Sequence, residues 1–148
     1  MSTKINLKNT PMGFQTIINN GRHSILGDEP VPSKGTDLGF SPPDLILSSL
    51  GMCKVATVRY IARKKGWAIG DVEAELEQQV KRGPAGEISS HVTVAIRIEG
   101  DLTEEQRKEL IREADACYIH RMINGEWMIE SATELDSATK TAGQNLGL

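Results

Sequence analysis

Cys53 and Cys117 are the residues of this chain best suited to covalent chemistry, and they are its only cysteines. A thiolate can attack a peroxide oxygen and be left as a sulfenic acid. A second thiol nearby can then condense with that acid to a disulfide. In this reading Cys53 is the attacking thiol and Cys117 the resolving one. An external dithiol or a thioredoxin-like donor closes the cycle. Apolar surroundings favour an organic over an inorganic peroxide.

Both cysteines fall on the inward side of expected helices, where loss of water disfavours the thiolate. Cys53 therefore needs a positive charge. The helix dipole cannot supply it, because Cys53 lies about 18 Å beyond Ser41 at 1.5 Å per residue and the effect fades within the first turn. Arg22 is the first candidate, with His23 second. A guanidinium favours a thiolate and presents a donor fork that suits peroxide oxygens. Arg59, six residues beyond Cys53, points away from that face. The competing reading is plain packing, since a free cysteine behaves as a small hydrophobe. A metal site built on Cys117 and His120, completed by His23 or Cys53, lacks any CxxC or HxxxH spacing, and no metal is expected. His91, Trp67 and Trp127 read as solvated or packing residues.

The element that must position Cys53 is a long helix from Pro42 to a stop at Gly66. Ser41 caps it, Pro42 takes the first helical position, and Asp44 falls where a capping carboxylate reaches back. Arg63, Lys64 and Lys65 face the negative end of the dipole. Its first half (Leu45, Ile46, Leu47, Leu50, Met52, Val55, Ala56, Val58) is apolar almost all round, which predicts burial on several sides. Gly51 is a place for another backbone to approach. A capping box, Thr103 to Gln106, starts a second helix in which Leu110, Ala114 and Cys117 share the inward face with Ile111.

Around these helices the pattern alternates. Strands are expected at 3–8, 14–19 and 22–26, with a tight turn at Asn19-Asn20-Gly21. The loop from Gly27 to Phe40 is long enough to be functional or to wrap a partner. Residues 71–81 and 88–98 read as a long hairpin across Gly83-Pro84-Ala85-Gly86. Tyr118 to Ile123 reads as a short helix, Trp127 to Ser131 as a last strand, and the tail beyond Asp136 as polar and frayed. The order β-β-β-α-β-β-α-β predicts an α+β fold in a single domain spanning 1–148.

Composition excludes some function classes. The chain has 148 residues, a net charge of -3 and no basic-aromatic stripe, so nucleic acid is not an expected partner. MSTKINLKN lacks the apolar core of a signal peptide, and no run of about 18 apolar residues is expected to cross a membrane. These features predict a cytoplasmic protein. Aromatic residues are only 4% of the chain, and the apolar mass this core lacks is an argument for a homodimer.

Four segments, GRHSILGDEP, GFSPPDLILSSLGMCKVATVRYIARKKGW, LTEEQRKEL and ADACYIHR, together resemble the OsmC/Ohr family of cysteine-based organic hydroperoxide reductases, its OsmC-like branch in particular. The resemblance spans roughly 1–135 in the family's order. It implies an intertwined homodimer in which long central helices lie between antiparallel sheets and active sites form at the dimer interface. It implies Cys53 as the reactive thiol, Cys117 as its resolving partner, an activating arginine (Arg22 here), and no metal or organic cofactor. It also implies an antioxidant role in the oxidative stress response, with a lipoyl-type dithiol as reductant. One branch carries a glutamate just after the helix-opening proline; this chain has Pro43 there and Asp44 next. His23, Asp44 and His120 are possible assisting residues. The alternative expectation is a non-catalytic, small-ligand-binding or redox-sensing domain of the same fold.

Overall fold

The computed structural model describes residues 2–136, which form two compact units. One comprises 2–45 with 128–136, the other Ile46–Trp127. The expected frayed tail lies outside the described residues.

The first unit is a three-stranded antiparallel meander of β1 (Asn6–Asn9), β2 (Thr16–Asn19) and β3 (Ser24–Gly27). Leu7, Ile18 and Ile25 lie in register across it. The strands are shorter than the alternation suggests. Arg22 and His23, expected on the third strand, lie in the turn before it. There the Asn20 side chain accepts their backbone N–H groups at 2.9 and 2.7 Å, and the ladder begins only at Ser24.

The loop that follows is built on one carboxylate. Asp28 is 3% exposed and accepts hydrogen bonds from the backbone N–H of Phe14, Glu29, Thr36 and Leu38 and from the Thr36 hydroxyl. These bonds hold its pKa down at about 2, the Thr36 hydroxyl contributing most. Glycine is required at 35 and 39, where a Cβ would stand 1.8 Å from the Glu29 carbonyl oxygen and 2.1 Å from that of Leu26.

The long helix α1 runs Pro42–Lys65. Ser41 Oγ accepts from the Asp44 N–H, and the Asp44 carboxylate accepts from the Ser41 N–H at 2.9 Å and hydroxyl at 2.8 Å. Gly66 ends the helix in the left-handed region, φ 68°, with Trp67 N–H reaching the Ala62 carbonyl. Length and composition alone would let α1 cross a bilayer, its best 18-residue window having mean hydropathy 1.4. That corrects the expectation of no such run. Its buried residues, however, form a stripe, Leu50, Gly51, Lys54, Val58 and Ala62, the period of a helix packed on one side. Burial on several sides is not found within the chain: Ile46 and Met52 are 52% and 74% exposed.

That stripe packs within the second unit. The hairpin here consists of β4 (Val72–Arg82) and β5 (Ile88–Ile98), in antiparallel register with Leu76 opposite Val94 and Val72 opposite Ile98. Leu76, a side chain rather than a backbone, covers Gly51. Val58, Ala62, Ile98, Leu110 and Ala114 form the core, with Trp67, Val72, Ile96 and Leu102 against it. Fully burying an aliphatic side chain such as Leu110 contributes about 1.5–3 kcal/mol.

The capping box starts α2 (Glu104–Glu113), with Gln106 N–H donating to Thr103 Oγ1 and Thr103 N–H to Gln106 Oε1. The helix stops four residues short of Cys117. A tighter turn at Ala114–Ala116 intervenes, and Cys117 is extended, capping the short helix α3 (Tyr118–Ile123). Ile111 is 38% exposed, outside the inward face. The expected strand at 127–131 is absent. No strand among the described residues pairs with it, and an unpaired strand leaves its backbone groups without partners. Trp127, Met128 and Ile129 are exposed.

Candidate functional site

The turn that replaces the end of α2 brings Cys117 back against α1. Cys53 sits mid-helix and half-buried, its carbonyl accepting from the Thr57 hydroxyl at 2.8 Å. Cys117 is 1% exposed. The backbone N–H of Ile119 donates to Cys53 Sγ at 3.4 Å, and that of the next residue, His120, to Cys117 Sγ at 3.3 Å. Two successive amides of α3 thus engage one sulfur each. The two sulfurs therefore face the same turn of α3, and both cysteines are free thiols.

Burial pushes the Cys117 thiol above the ordinary cysteine value. The His120 N–H works against that shift, the neighbouring Cys53 adds to it, and the positive charge of Lys54 opposes it.

Lys54 is the functional-site residue that the sequence reading passed over. It is 1% exposed. Its ammonium donates to Asp115 Oδ1 at 2.9 Å and to the Ala114 carbonyl at 3.4 Å, and it meets His120 Nδ1 at 2.8 Å. Three acceptors meet three N–H bonds, which is what a buried ammonium requires. The signal was present in the spacing. Lys54 stands four residues from both Leu50 and Val58, so helical geometry puts it on the buried stripe.

Cys53, Cys117 and His120 therefore come together in the second unit, with Lys54 and Asp115 beside them. Arg22, His23 and Asp44 belong to the first unit. Arg22 and His23 are exposed in the turn before β3. Asp44 is engaged as a helix cap, and its bonds to Ser41 hold its carboxyl below the usual range. His120 Nδ1 is occupied by Lys54, and among the described residues no three His, Cys, Asp or Glu side chains converge on a metal position.

A half-buried thiol that shares a turn with a fully buried one can be oxidised at the first sulfur and closed by the second. The exposed member meets a reagent, and its partner is held out of water.

The family model described as OsmC-like protein matches residues 35–131, more than half of the chain. No curated protein matches. Among solved structures, an osmotic stress induced and detoxification response protein from Psychrobacter arcticus is 24% identical, with a TM-score of 0.71 over 84% of this chain and 89% of that one. An OsmC-like protein from Mycoplasma pneumoniae is 21% identical, with a TM-score of 0.73 over 84% and 89%. The organic hydroperoxide resistance protein OhrB of Bacillus subtilis is 18% identical, with a TM-score of 0.63 over 84% and 92%. At these identities the likeness is one of fold.

Proposed function

The chain belongs to the OsmC-like family, and on that premise we propose that it is a cysteine-based peroxidase that reduces organic hydroperoxides to alcohols. The observation that carries this reading is that the successive amides of Ile119 and His120 donate to Cys53 Sγ and Cys117 Sγ, which brings both thiols to one turn.

Cys53, the more accessible sulfur, is the attacking thiolate. It bonds to the terminal peroxide oxygen; the O–O bond breaks, and the alkoxide leaves and takes a proton. Cys53 is then a sulfenic acid. Cys117 displaces its hydroxyl, water departs, and a Cys53–Cys117 disulfide remains. A lipoyl- or thioredoxin-like dithiol reduces it. Arg22 is the candidate cation for the peroxide end, with His23 and Asp44 as secondary candidates there and His120 beside Cys117. No metal or organic cofactor is needed.

We further assign a homodimer working in the cytoplasm. The exposure of Ile46, Met52 and Tyr60 along α1, and of Trp127, Met128 and Ile129, supports a second copy covering apolar surface.

The test is consumption of cumene or t-butyl hydroperoxide with a dithiol donor. Cys53→Ser abolishes turnover; a Cys53→Ser protein as fast as the parent overturns the assignment. No turnover in the parent, with a thermal shift on adding a small apolar ligand, returns the chain to the binding-module reading.

A further inference from the structure

The peroxidase cycle as proposed leaves Lys54 without a task, although it is the charged side chain most deeply buried beside the thiols. The residues that hold its ammonium, Ala114, Asp115 and His120, all flank Cys117 in the chain. His120 also donates its own N–H to Cys117 Sγ. Lys54 follows Cys53 in sequence, but its charge is tied to the Cys117 segment. The titratable and charged groups that act on Cys117 are Cys53 and Lys54 from α1, with the His120 N–H from its own segment, while the Asp115 carboxylate and the His120 ring meet Lys54. Lys54 is the cation of this set. Asp115, with its side chain 71% exposed, anchors it from the solvent side.

We propose that Lys54 is a positioning residue for the resolving thiol: held by Asp115 and His120, its ammonium stabilises the Cys117 thiolate in the two steps that use it. This rests on the peroxidase reading above. In the first step the Cys117 electron pair forms the S–S bond to Cys53, the Cys53 S–O bond breaks, and hydroxide leaves as water with the proton that Cys117 gave up. In the second, a donor thiolate attacks the accessible Cys53 sulfur. The Cys53–donor bond forms, the Cys53–Cys117 bond breaks, and its pair goes to Cys117 beside the ammonium. The donor's second thiol then displaces Cys53. The donor ends as a disulfide, oxidised by two electrons, and its two protons end on the two cysteines. Lys54 thus makes Cys117 the better leaving group and directs the mixed disulfide to Cys53.

The experiment follows disulfide closure after one equivalent of cumene hydroperoxide, with dimedone as a trap for the sulfenic acid. Lys54→Met should consume the first equivalent as the parent does but close the disulfide severalfold more slowly, because less of Cys117 is ionised, an effect its greater basicity only partly offsets. The dimedone adduct then accumulates at Cys53. Asp115→Asn keeps an oxygen acceptor for Lys54 and removes the opposing negative charge, so closure should be faster than in the parent. A purely structural role for the pair predicts that both variants are slowed. Closure at the parental rate in Lys54→Met, or unchanged or slower closure in Asp115→Asn, overturns the proposal. Should Lys54→Met fail to fold, Asp115→Asn decides alone. Cys117→Ser is the control for the underlying reading. If it consumes no peroxide and yields no adduct at Cys53, the peroxidase assignment fails whatever Lys54 does.

Discussion

Lys54 Nζ stands 2.8 Å from His120 Nδ1. An ammonium has no lone pair, so it donates and the imidazole accepts with an unprotonated Nδ1. The same histidine gives its backbone N–H to Cys117 Sγ. One residue therefore touches both the buried charge and the buried sulfur, and the short helix α3 holds the two in fixed relation.

Disulfide closure should be strongly pH-dependent. Burial raises the Cys117 thiol above the ordinary cysteine value, so its nucleophilic form is scarce at neutral pH and grows as pH rises. The closure rate after a single peroxide equivalent should climb with pH without levelling below the ordinary cysteine range. A plateau below neutrality would mean that Cys117 is already ionised there.

Arg22→Ala should lower the rate of the first peroxide equivalent and leave disulfide closure unchanged, because the proposed task of Arg22 ends once Cys53 is oxidised. Stopped-flow measurement of the two phases separates them. Equal slowing of both phases would remove Arg22 from the peroxide end.

Leu110 is fully buried against Val58, Ala62 and Ile98. Leu110→Ala should cost about 2–5 kcal/mol, read from the urea midpoint at constant m-value. Thr103→Ala removes the capping box of α2 and should cost about 1 kcal/mol by the same measurement. A loss under about 0.5 kcal/mol at Leu110 would contradict the core described for this unit.

Asp28 should make the loop acid-sensitive. Its folded pKa, about 2, lies below the ordinary 3.8, so the ionised form favours the folded state. That contribution is fully present above pH 3.8 and is lost as pH falls through about 2. Thermal melts across this window should show a falling midpoint in the parent and a flatter one in Asp28→Asn, which starts lower. Parallel profiles would show that other carboxylates carry the acid response.

Much of the scaffold was legible because its signals are local. Proline at the first position with Ser41 and Asp44 marked the start of α1, Gly66 its end, and Thr103 with Gln106 the start of α2. Alternation at 71–81 and 88–98 marked the hairpin. The losses came from non-local causes. Trp127 to Ser131 alternates like a strand, but pairing needs a neighbour, and none of the described strands offers one. Helical periodicity carried α2 through to Cys117, whereas the chain turns at Ala114–Ala116 to bring that sulfur against α1. Asp28 carries no local signal of its part in the loop, since only folding brings five donors onto it. Lys54 was missed for another reason. Lys54 is next to Cys53 in the chain, but its ammonium turns to the segment that carries Cys117, a direction only the fold sets.

The most direct test of the central claim is peptide mapping by mass spectrometry of the fully reduced protein after one equivalent of cumene hydroperoxide per chain. The account predicts loss of two hydrogens per chain, one equivalent of alcohol released, and a single cross-linked peptide joining Cys53 to Cys117. An unchanged mass, or oxidation that leaves Cys117 as a free thiol in the parent protein, would contradict it.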